Sequence, residues 1–176
     1  RLILREENIK PMSLVILVPT KELCGQVFAV VSSLLGYLFD VVSVDSFTGE
    51  GKYRRPALPS IFITTPRGFV SVHSSNPEVC QNIRYIAVDE ADLVLSHGFE
   101  KDIRKIVTVL PKEYQAVLVS ATLSDDLEAL KGLMLRNPVS VIINDTDIPK
   151  KSDGLRHMYF PCAFRDKYMC LYAMLK

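Results

Sequence analysis

The sequence is poor in the residues that build metal sites and disulfide frameworks. Its 176 residues include four cysteines and three histidines, all scattered, with no C-x-x-C pair. Structural zinc sites and disulfide-rich scaffolds hold such residues at short, regular spacings. We therefore predict neither of them, and we expect reduced thiols in an intracellular protein.

The sequence also lacks an apolar run long enough to cross a bilayer. Each run is interrupted by serine, glycine or charge before it reaches the roughly 20 residues that a spanning helix needs, so no membrane partner is predicted. With 48% hydrophobic residues and a formal net charge of +1, the composition is that of a globular protein. This charge neither requires nor excludes a nucleic-acid partner.

Two kinds of segment alternate along the sequence: short unbroken apolar runs, and segments in which apolar residues recur at helical spacing. Unbroken apolar runs are typical of strands covered on both faces, and they predict strands over residues 14–18, 41–44, 61–64, 83–88, 116–119 and 139–143. Apolar residues at helical spacing predict helices over 21–38, 68–73, 99–110 and 124–136. Loops are predicted at 46–59 and 74–78. The alternation predicts an α/β fold with a mostly parallel sheet.

The C-terminal part differs in composition. Residues 144–155 are polar and contain proline, glycine and two lysines, which is typical of a linker. A predicted strand at 157–160 and a predicted helix at 166–175 follow. We expect a partial first domain at 1–143, a linker at 144–155 and the start of a second domain at 156–176. Because the sequence opens on arginine and stops within a predicted helix, we also expect a piece of a longer protein.

Four predicted strands end in short polar motifs: Pro19-Thr20, Thr65-Pro66, Asp89-Glu90 and Ser120-Ala121-Thr122. The carboxyl ends of parallel strands meet at one edge of a sheet, where ligands bind, so hydroxyls, carboxylates and helix N-termini are expected in one crevice. Carboxylates there are suited to hold hydrated Mg²⁺ and to orient water against a nucleotide phosphate. Helix capping accounts for any one motif, but it accounts poorly for four together.

These motifs resemble a known series. Pro19-Thr20-Lys21-Glu22-Leu23, then Val88-Asp89-Glu90-Ala91-Asp92, then Ser120-Ala121-Thr122 resemble, in order, the motifs of DEAD-box RNA helicases. The resemblance runs from about residue 14 to the end of the chain. From Asp89 to Val139 it looks most like the nucleolar subgroup that assembles the large ribosomal subunit. It implies a RecA-like open sheet with helices on both faces, of the P-loop NTPase type, with its N-terminal part truncated.

The resemblance implies ATP and Mg²⁺ as cofactors and RNA as a partner. Asp89 would hold Mg²⁺ through water, and Glu90 would activate the attacking water. Asp92 would link to Ser120 and Thr122, which couples the nucleotide site to domain closure. The RNA backbone would contact N–H groups and hydroxyls at Pro19, Thr20, Lys21, Glu22, Thr65, Pro66 and Arg67, without reading sequence. The subgroup implies pre-ribosomal particles and the nucleolus; a helicase outside it would be cytoplasmic.

The sequence departs from the family in three places. It contains no G-x-x-x-x-G-K-[ST] motif, whose backbone and lysine cradle the nucleotide phosphates; the family pattern would place that motif upstream of Arg1. We therefore expect that this chain alone neither hydrolyses ATP nor binds it tightly. In Thr65-Pro66-Arg67-Gly68 the arginine comes one position early, and Thr48-Gly49 stands where the family has two glycines. The basic cluster Lys52, Arg54 and Arg55 is interpreted as a solvated loop.

Other functions remain open at this point. A different nucleic-acid-dependent ATPase would share the same core motifs. A catalytically dead scaffold that binds RNA or protein would share the fold, although intact Asp89, Glu90, Ser120 and Thr122 argue against such decay. A flavodoxin-like or phosphatase fold would need a nucleophilic aspartate at an early strand end, and the sequence has none there.

Overall fold

The computed structural model describes residues 11–36, 42–49, 53, 59–143, 156 and 158–176. Within them, five strands form one sheet in which every pair of neighbours is parallel. They are β1 (Leu14–Leu17), β2 (Val44–Phe47), β3 (Ile61–Thr64), β4 (Tyr85–Val88) and β5 (Gln115–Leu118). The order across the sheet is β2-β3-β1-β4-β5. The predicted α/β class with a parallel sheet is confirmed.

Helices follow most of the strands. They are α1 (Lys21–Leu35), α2 (Pro66–Ser75), α3 (Ala91–Ser96), α4 (Glu100–Val109), α5 (Asp125–Met134) and α6 (Lys167–Leu175), with short 3-10 turns at Pro77–Cys80 and Phe164–Asp166. In the part of the chain that the structure describes, no helix has both the length and the apolar content to span a membrane.

The sheet has a core on each face, because successive strand residues point to opposite sides. On one face, Val15, Phe62 and Ile86 pack against α2 to α5 and the first 3-10 turn. On the other face, Ile61, Ile63 and neighbouring residues pack against α1 around the buried Cys24. Helices therefore cover both faces, as the resemblance implied. Val117 in β5 and Val119, which directly follows β5, stay about half exposed, at 48% and 53%.

The strand register aligns the carboxyl ends. Leu17, the last residue of β1, lies opposite Thr64 of β3 and opposite Val88 of β4. Val88 in turn lies opposite Leu118, the last residue of β5. The polar residues that follow these strands therefore leave the sheet at one edge, as predicted.

The second predicted strand was wrong in its position. The sequence pattern placed it at 41–44 and a loop from residue 46, whereas β2 begins at Val44 and includes Ser46 and Phe47. The error has a physical cause: Asp45 interrupts the apolar pattern, yet its carboxylate is buried and accepts a hydrogen bond from Tyr53. Val41 and most of the predicted loop lie outside the described residues.

Other predicted elements also need correction. Residues 139–143 and 158–160 are irregular and not strands; their β-branched and aromatic side chains suit a strand, but a strand also requires a paired neighbour, and these segments have none in the described part of the chain. The predicted loop at 74–78 holds the end of α2 and a 3-10 turn. Helix α3, only six residues long, was not predicted.

The chain divides into two compact units, Arg1–Pro138 and Val139–Lys176. The second contains α6, which confirms the predicted helix near 166–175, and the amino group of Lys176 lies 5.9 Å from the Tyr172 ring centroid. The predicted linker at 144–155 lies outside the described residues. The assignment of the two domains remains a prediction.

Candidate functional site

The exit of β4 carries the two acids that the sequence singled out. The Asp89 N–H donates to the Leu17 carbonyl at 2.9 Å, which holds this residue against β1. One oxygen of its carboxylate, Oδ1, accepts the Glu90 N–H at 3.0 Å. Both acidic side chains are half-buried. Asp89 is therefore fixed by neighbouring backbone on both sides, as a positioned carboxylate requires.

Glu90 has an unusual backbone conformation. Its φ of 49° and ψ of 51° lie in the left-handed region, where a residue with a Cβ is strained. This turn directs the next N–H, that of Ala91, to the carbonyl of Val119, which directly follows β5, at 2.9 Å. Helix α3 begins at once after it. The strain is thus offset by a backbone hydrogen bond between the exits of β4 and β5.

A second link joins the same two exits through side chains. The Thr122 hydroxyl donates a 2.6 Å hydrogen bond to Asp92 Oδ2, while Asp92 Oδ1 accepts the N–H of Leu93. Ser120 Oγ donates to the Thr122 carbonyl at 3.0 Å and accepts its N–H at 3.3 Å. The Ser120-Ala121-Thr122 segment is therefore a closed turn that presents one hydroxyl to the acid.

The Thr122 hydrogen bond is the main cause of a lowered pKa at Asp92. Slight burial opposes it, and the Leu93 N–H and the Ser120 hydroxyl add to it. Because each donor stabilises the ionised carboxylate, Asp92 is charged at neutral pH. A charged acceptor also strengthens the bond from Thr122.

The exit of β1 is built as a helix start. The Val18 N–H donates to the Thr64 carbonyl at 3.0 Å, and Pro19 is buried. Thr20 is the N-cap of α1, since its hydroxyl accepts the Leu23 N–H at 3.2 Å. Lys21 and Glu22 occupy the exposed first turn. The pKa of Glu22 is lowered by its own N–H and then by the Thr20 hydroxyl.

The exit of β3 repeats this arrangement. Thr65 caps α2, because its hydroxyl accepts the Gly68 N–H at 3.1 Å, and Pro66 takes the first helical position. Proline suits that position because its fixed φ matches the helix and no N–H is needed there. The side chain of Arg67 is 79% exposed, and its Nε lies 4.0 Å from Asp102 Oδ2.

Gly68 lies in a space that no side chain can enter. A Cβ at this position would lie 2.3 Å from Thr64 Oγ1 and 3.2 Å from the Phe47 carbonyl oxygen. The two oxygens are themselves joined by a 2.7 Å hydrogen bond from the threonine. Gly49, with a φ of 89°, lies over Gly68, and a Cβ on Gly49 would be 3.2 Å from the Gly68 Cα. The early arginine therefore has a steric reason, since position 68 must be glycine.

The acids and the predicted RNA-contacting residues form two groups along this edge. Asp92 and Thr122 are in direct contact. Backbone hydrogen bonds connect residues 89–92, the acidic turn, to the ends of β1 and β5. Within the described residues, no hydrogen bond joins the acidic turn to Thr20 or Thr65. The sequence did not predict the close packing of Thr64 against Gly68, or the left-handed turn at Glu90. The glycine directly after Arg67 was the one sequence feature that could have indicated this packing.

Asp89 fits an indirect contact with a metal ion. In the described part of the chain, no group of three or more histidine, cysteine, aspartate or glutamate side chains could enclose one. Mg²⁺ keeps several waters in protein sites and takes other ligands from substrate phosphates. A single half-buried carboxylate at a strand end can bind such a hydrated ion through its waters. It cannot supply a full set of protein ligands by itself.

Comparisons with known proteins agree with this geometry. The family model described as DEAD/DEAH box helicase matches residues 2–130. The ATP-dependent RNA helicase DBP9 of Cryptococcus neoformans is 37% identical over 171 residues, which cover 92% of this chain and 27% of that protein. The chain thus spans between a quarter and a third of the length of such relatives.

Solved structures show the same fold. A DEAD box protein from Methanococcus jannaschii is 28% identical, with a TM-score of 0.63 over 70% of this chain and 34% of that one. Dbp5 of S. cerevisiae, solved with RNA and ADP BeF3, has a TM-score of 0.67 at 21% identity and matches 83% of this chain and 37% of its own. These neighbours identify the sheet as RecA-like.

Proposed function

The chain belongs to the DEAD/DEAH box helicase family, and we propose that it forms part of an ATP-dependent RNA helicase. The observation that supports this most is the pair of links between the exits of β4 and β5. The Thr122–Asp92 hydrogen bond and the Ala91–Val119 backbone bond join the acidic turn to the Ser-Ala-Thr turn. Because of these two bonds, movement of the segment after β5 would also move Asp92 and the neighbouring acids.

We propose separate tasks for the acids. The Glu90 carboxylate accepts a proton from water and orients that water toward a phosphate, which is the contribution of a positioned base in this chemistry. Asp89 holds water molecules of a hydrated Mg²⁺, an ion that when bound neutralises charge on the nucleotide phosphates. Asp92 keeps Thr122 in place. The sequence contains no G-x-x-x-x-G-K-[ST] motif of the kind that cradles nucleotide phosphates.

We propose that the exits of β1 and β3 contact RNA. Thr20 and Thr65 begin helices whose first N–H groups face this edge, and phosphates bind well at such positions. Lys21 and the exposed Arg67 add positive charge. Contacts of this kind hold the sugar-phosphate backbone and leave the bases unread, which suits an enzyme that acts on many RNAs. The Dbp5 neighbour, which was solved with RNA, supports RNA as the partner.

The narrower role follows from the subgroup resemblance. We propose remodelling of RNA in particles that become the large ribosomal subunit, and hence a nucleolar location. The similarity to proteins named DBP9 supports this choice. Co-sedimentation of the full-length protein with large-subunit precursors would test it, and sedimentation with mature cytoplasmic ribosomes alone would contradict it.

RNA binding tests the central proposal. Titration of the 176-residue chain with fluorescein-labelled oligouridine, followed by anisotropy at several salt concentrations, gives both the affinity and its salt dependence. Arg67→Ala should weaken binding and reduce the slope of log K against log salt by about 0.7, the value of one phosphate contact with single strands. Arg136→Ala is the matched control, because this exposed arginine lies after α5 and binds the Lys112 carbonyl.

Equal slopes for the two arginine variants would contradict the RNA-facing assignment of α2. A deoxyuridine oligomer of the same length separates the alternatives within the class. Tighter binding of the DNA oligomer than of the RNA oligomer would favour a DNA-dependent ATPase over an RNA helicase.

A further inference from the structure

Tyr53, in the connection between β2 and β3, is held against the sheet by a hydrogen bond and by its ring. Its hydroxyl donates a 2.8 Å hydrogen bond to Asp45 Oδ2, and only 8% of the Asp45 surface is exposed. The Tyr53 ring packs edge-on against Phe47 and Phe62, with centroids 5.6 and 5.3 Å apart. Edge-on aromatic pairs and hydrogen bonds to a buried carboxyl group both stabilise one geometry of Tyr53.

This attachment lies next to the start of α2. Phe47, which the Tyr53 ring contacts, has a carbonyl that accepts from Thr64 and that closes the space around Gly68. Gly49 belongs to the same connection and lies against the Gly68 backbone. Gly49 and the first turn of α2 are therefore in backbone contact, and Tyr53 packs against Phe47, two residues before Gly49.

We infer that Tyr53 is a positioning residue for RNA, which holds Phe47 and the neighbouring Gly49 against the start of α2 and so sets the backbone surface at Thr65, Pro66 and Arg67. The inference rests on the proposed function. The ligand is the sugar-phosphate backbone of single-stranded RNA. Tyr53 itself acts through Phe47, Gly49 and Gly68 and does not contact the RNA.

The physical reason is the angular tolerance of hydrogen bonds. Bonds from backbone N–H groups to phosphate oxygens weaken steeply when the donor is misaligned, so a small shift of the first turn of α2 reduces affinity. Tyrosine carries no charge at neutral pH, so its loss removes no ion contact. The affinity should fall while the salt dependence stays constant.

Tyr53→Phe is the sharpest variant, since it keeps the ring and removes only the donor to Asp45. Tyr114→Phe is its control: it removes a phenol hydrogen bond of 3.1 Å to the Met134 carbonyl, at the end of α5. With labelled oligouridine, Tyr53→Phe should lower the affinity by about three- to tenfold, the range of one net hydrogen bond. Tyr114→Phe should change it by less than about twofold, and neither should change the salt slope.

Hydrogen exchange of the RNA-free chain supplies a second measurement. The Gly68 and Phe69 N–H groups donate to Thr65, at its hydroxyl and its carbonyl. Their exchange should accelerate in Tyr53→Phe and stay unchanged in Tyr114→Phe. If Tyr53→Phe does not fold, Asp45→Asn replaces it; this variant keeps an acceptor oxygen without its charge and should show the same changes at smaller size.

The outcomes separate the inference from the function on which it rests. Faster exchange at Gly68 together with weaker RNA binding supports the inference. If Arg67→Ala weakens binding and Tyr53→Phe does not, the inference is wrong and the proposed function stands. If neither variant changes binding, the RNA-facing role of this edge is refuted, and the inference is refuted with it.

Discussion

Replacing Glu90 with glycine is expected to leave the fold more stable than replacing it with alanine. Both substitutions remove the carboxylate, so both should abolish any activity that depends on it. They differ in the backbone, because Glu90 has a φ of 49° and a ψ of 51°. Glycine adopts this left-handed conformation without a Cβ clash, whereas alanine keeps the strain of the native residue.

The size of the difference follows from two opposing effects. The left-handed conformation costs a residue with a Cβ roughly 1–2 kcal/mol, and the extra freedom of glycine in the unfolded chain offsets about 0.5–1 kcal/mol. Position 90 is also the N-cap of α3, where glycine is preferred to alanine. We expect Glu90→Gly to unfold with a free energy about 1 kcal/mol larger than Glu90→Ala, or a Tm about 2–4 °C higher.

Thermal and urea unfolding can be followed by far-UV circular dichroism, which suits a chain without tryptophan. Ala129→Gly in the exposed part of α5 is the control. There the backbone is helical, and glycine should cost about 1 kcal/mol. The reasoning is refuted if Glu90→Ala is as stable as Glu90→Gly while the control shows its expected loss.

Three further predictions follow. Thr122→Val removes the main donor to Asp92, so the pKa of Asp92 should rise toward its ordinary value in a carboxyl NMR titration; an unchanged midpoint would contradict the hydrogen bond. Because the folded-state pKa is the lower one, the stability that this pair supplies is present above the unfolded-state pKa and is lost as the pH falls through the folded-state value. Gly68→Ala should destabilise the fold by about 1–3 kcal/mol through overpacking, whereas Gly25→Ala on α1, with no atom within 4 Å of its Cβ position, should stabilise it by up to about 1 kcal/mol; equal effects in urea unfolding would show that the contact at Gly68 is not rigid. Finally, a phosphate-release assay on the 176-residue chain should detect no RNA-stimulated ATP hydrolysis, and measurable turnover would refute the need for a separate phosphate-binding loop.

The central strands were predictable because burial on both faces leaves a direct trace in the sequence. β1 and β3 read as apolar runs, and each is followed within three residues by a threonine that caps the next helix. The same reasoning located the aligned strand ends, since parallel neighbours must finish together. Apolar runs and helix caps involve only residues close together in the sequence, so these elements can be predicted from the sequence alone.

The sequence pattern misplaced the edge strand β2 because the contacts that stabilise this strand come from residues distant in the sequence. Asp45 belongs in the strand only because Tyr53, eight residues later, supplies a hydrogen bond and a ring that packs on Phe47. The opposite error occurred at 139–143, where β-branched residues suggested a strand with no neighbour to pair with in the described part of the chain. Strand propensity gives conformation, but pairing requires a partner that the local pattern cannot show.

The left-handed turn at Glu90 was also beyond prediction. Glutamate has no preference for that region, and the turn is accompanied by a hydrogen bond from the Ala91 N–H to the carbonyl of Val119, just after β5. The Thr122–Asp92 contact joins residues 30 positions apart. The family resemblance suggested it, whereas the spacing of the residues did not.

The bond between Ala91 and Val119 has a consequence for how this protein can be studied. Both of its atoms belong to the main chain, so no substitution by alanine deletes it, and among the natural residues only proline at position 91 lacks the donor. An alanine scan would therefore register only the Thr122–Asp92 half of the coupling between the two turns and would underestimate the total. Replacing the amide at residue 91 with an ester, by chemical synthesis or ligation, would remove that donor. The change would measure the contribution of the Ala91–Val119 bond to the coupling.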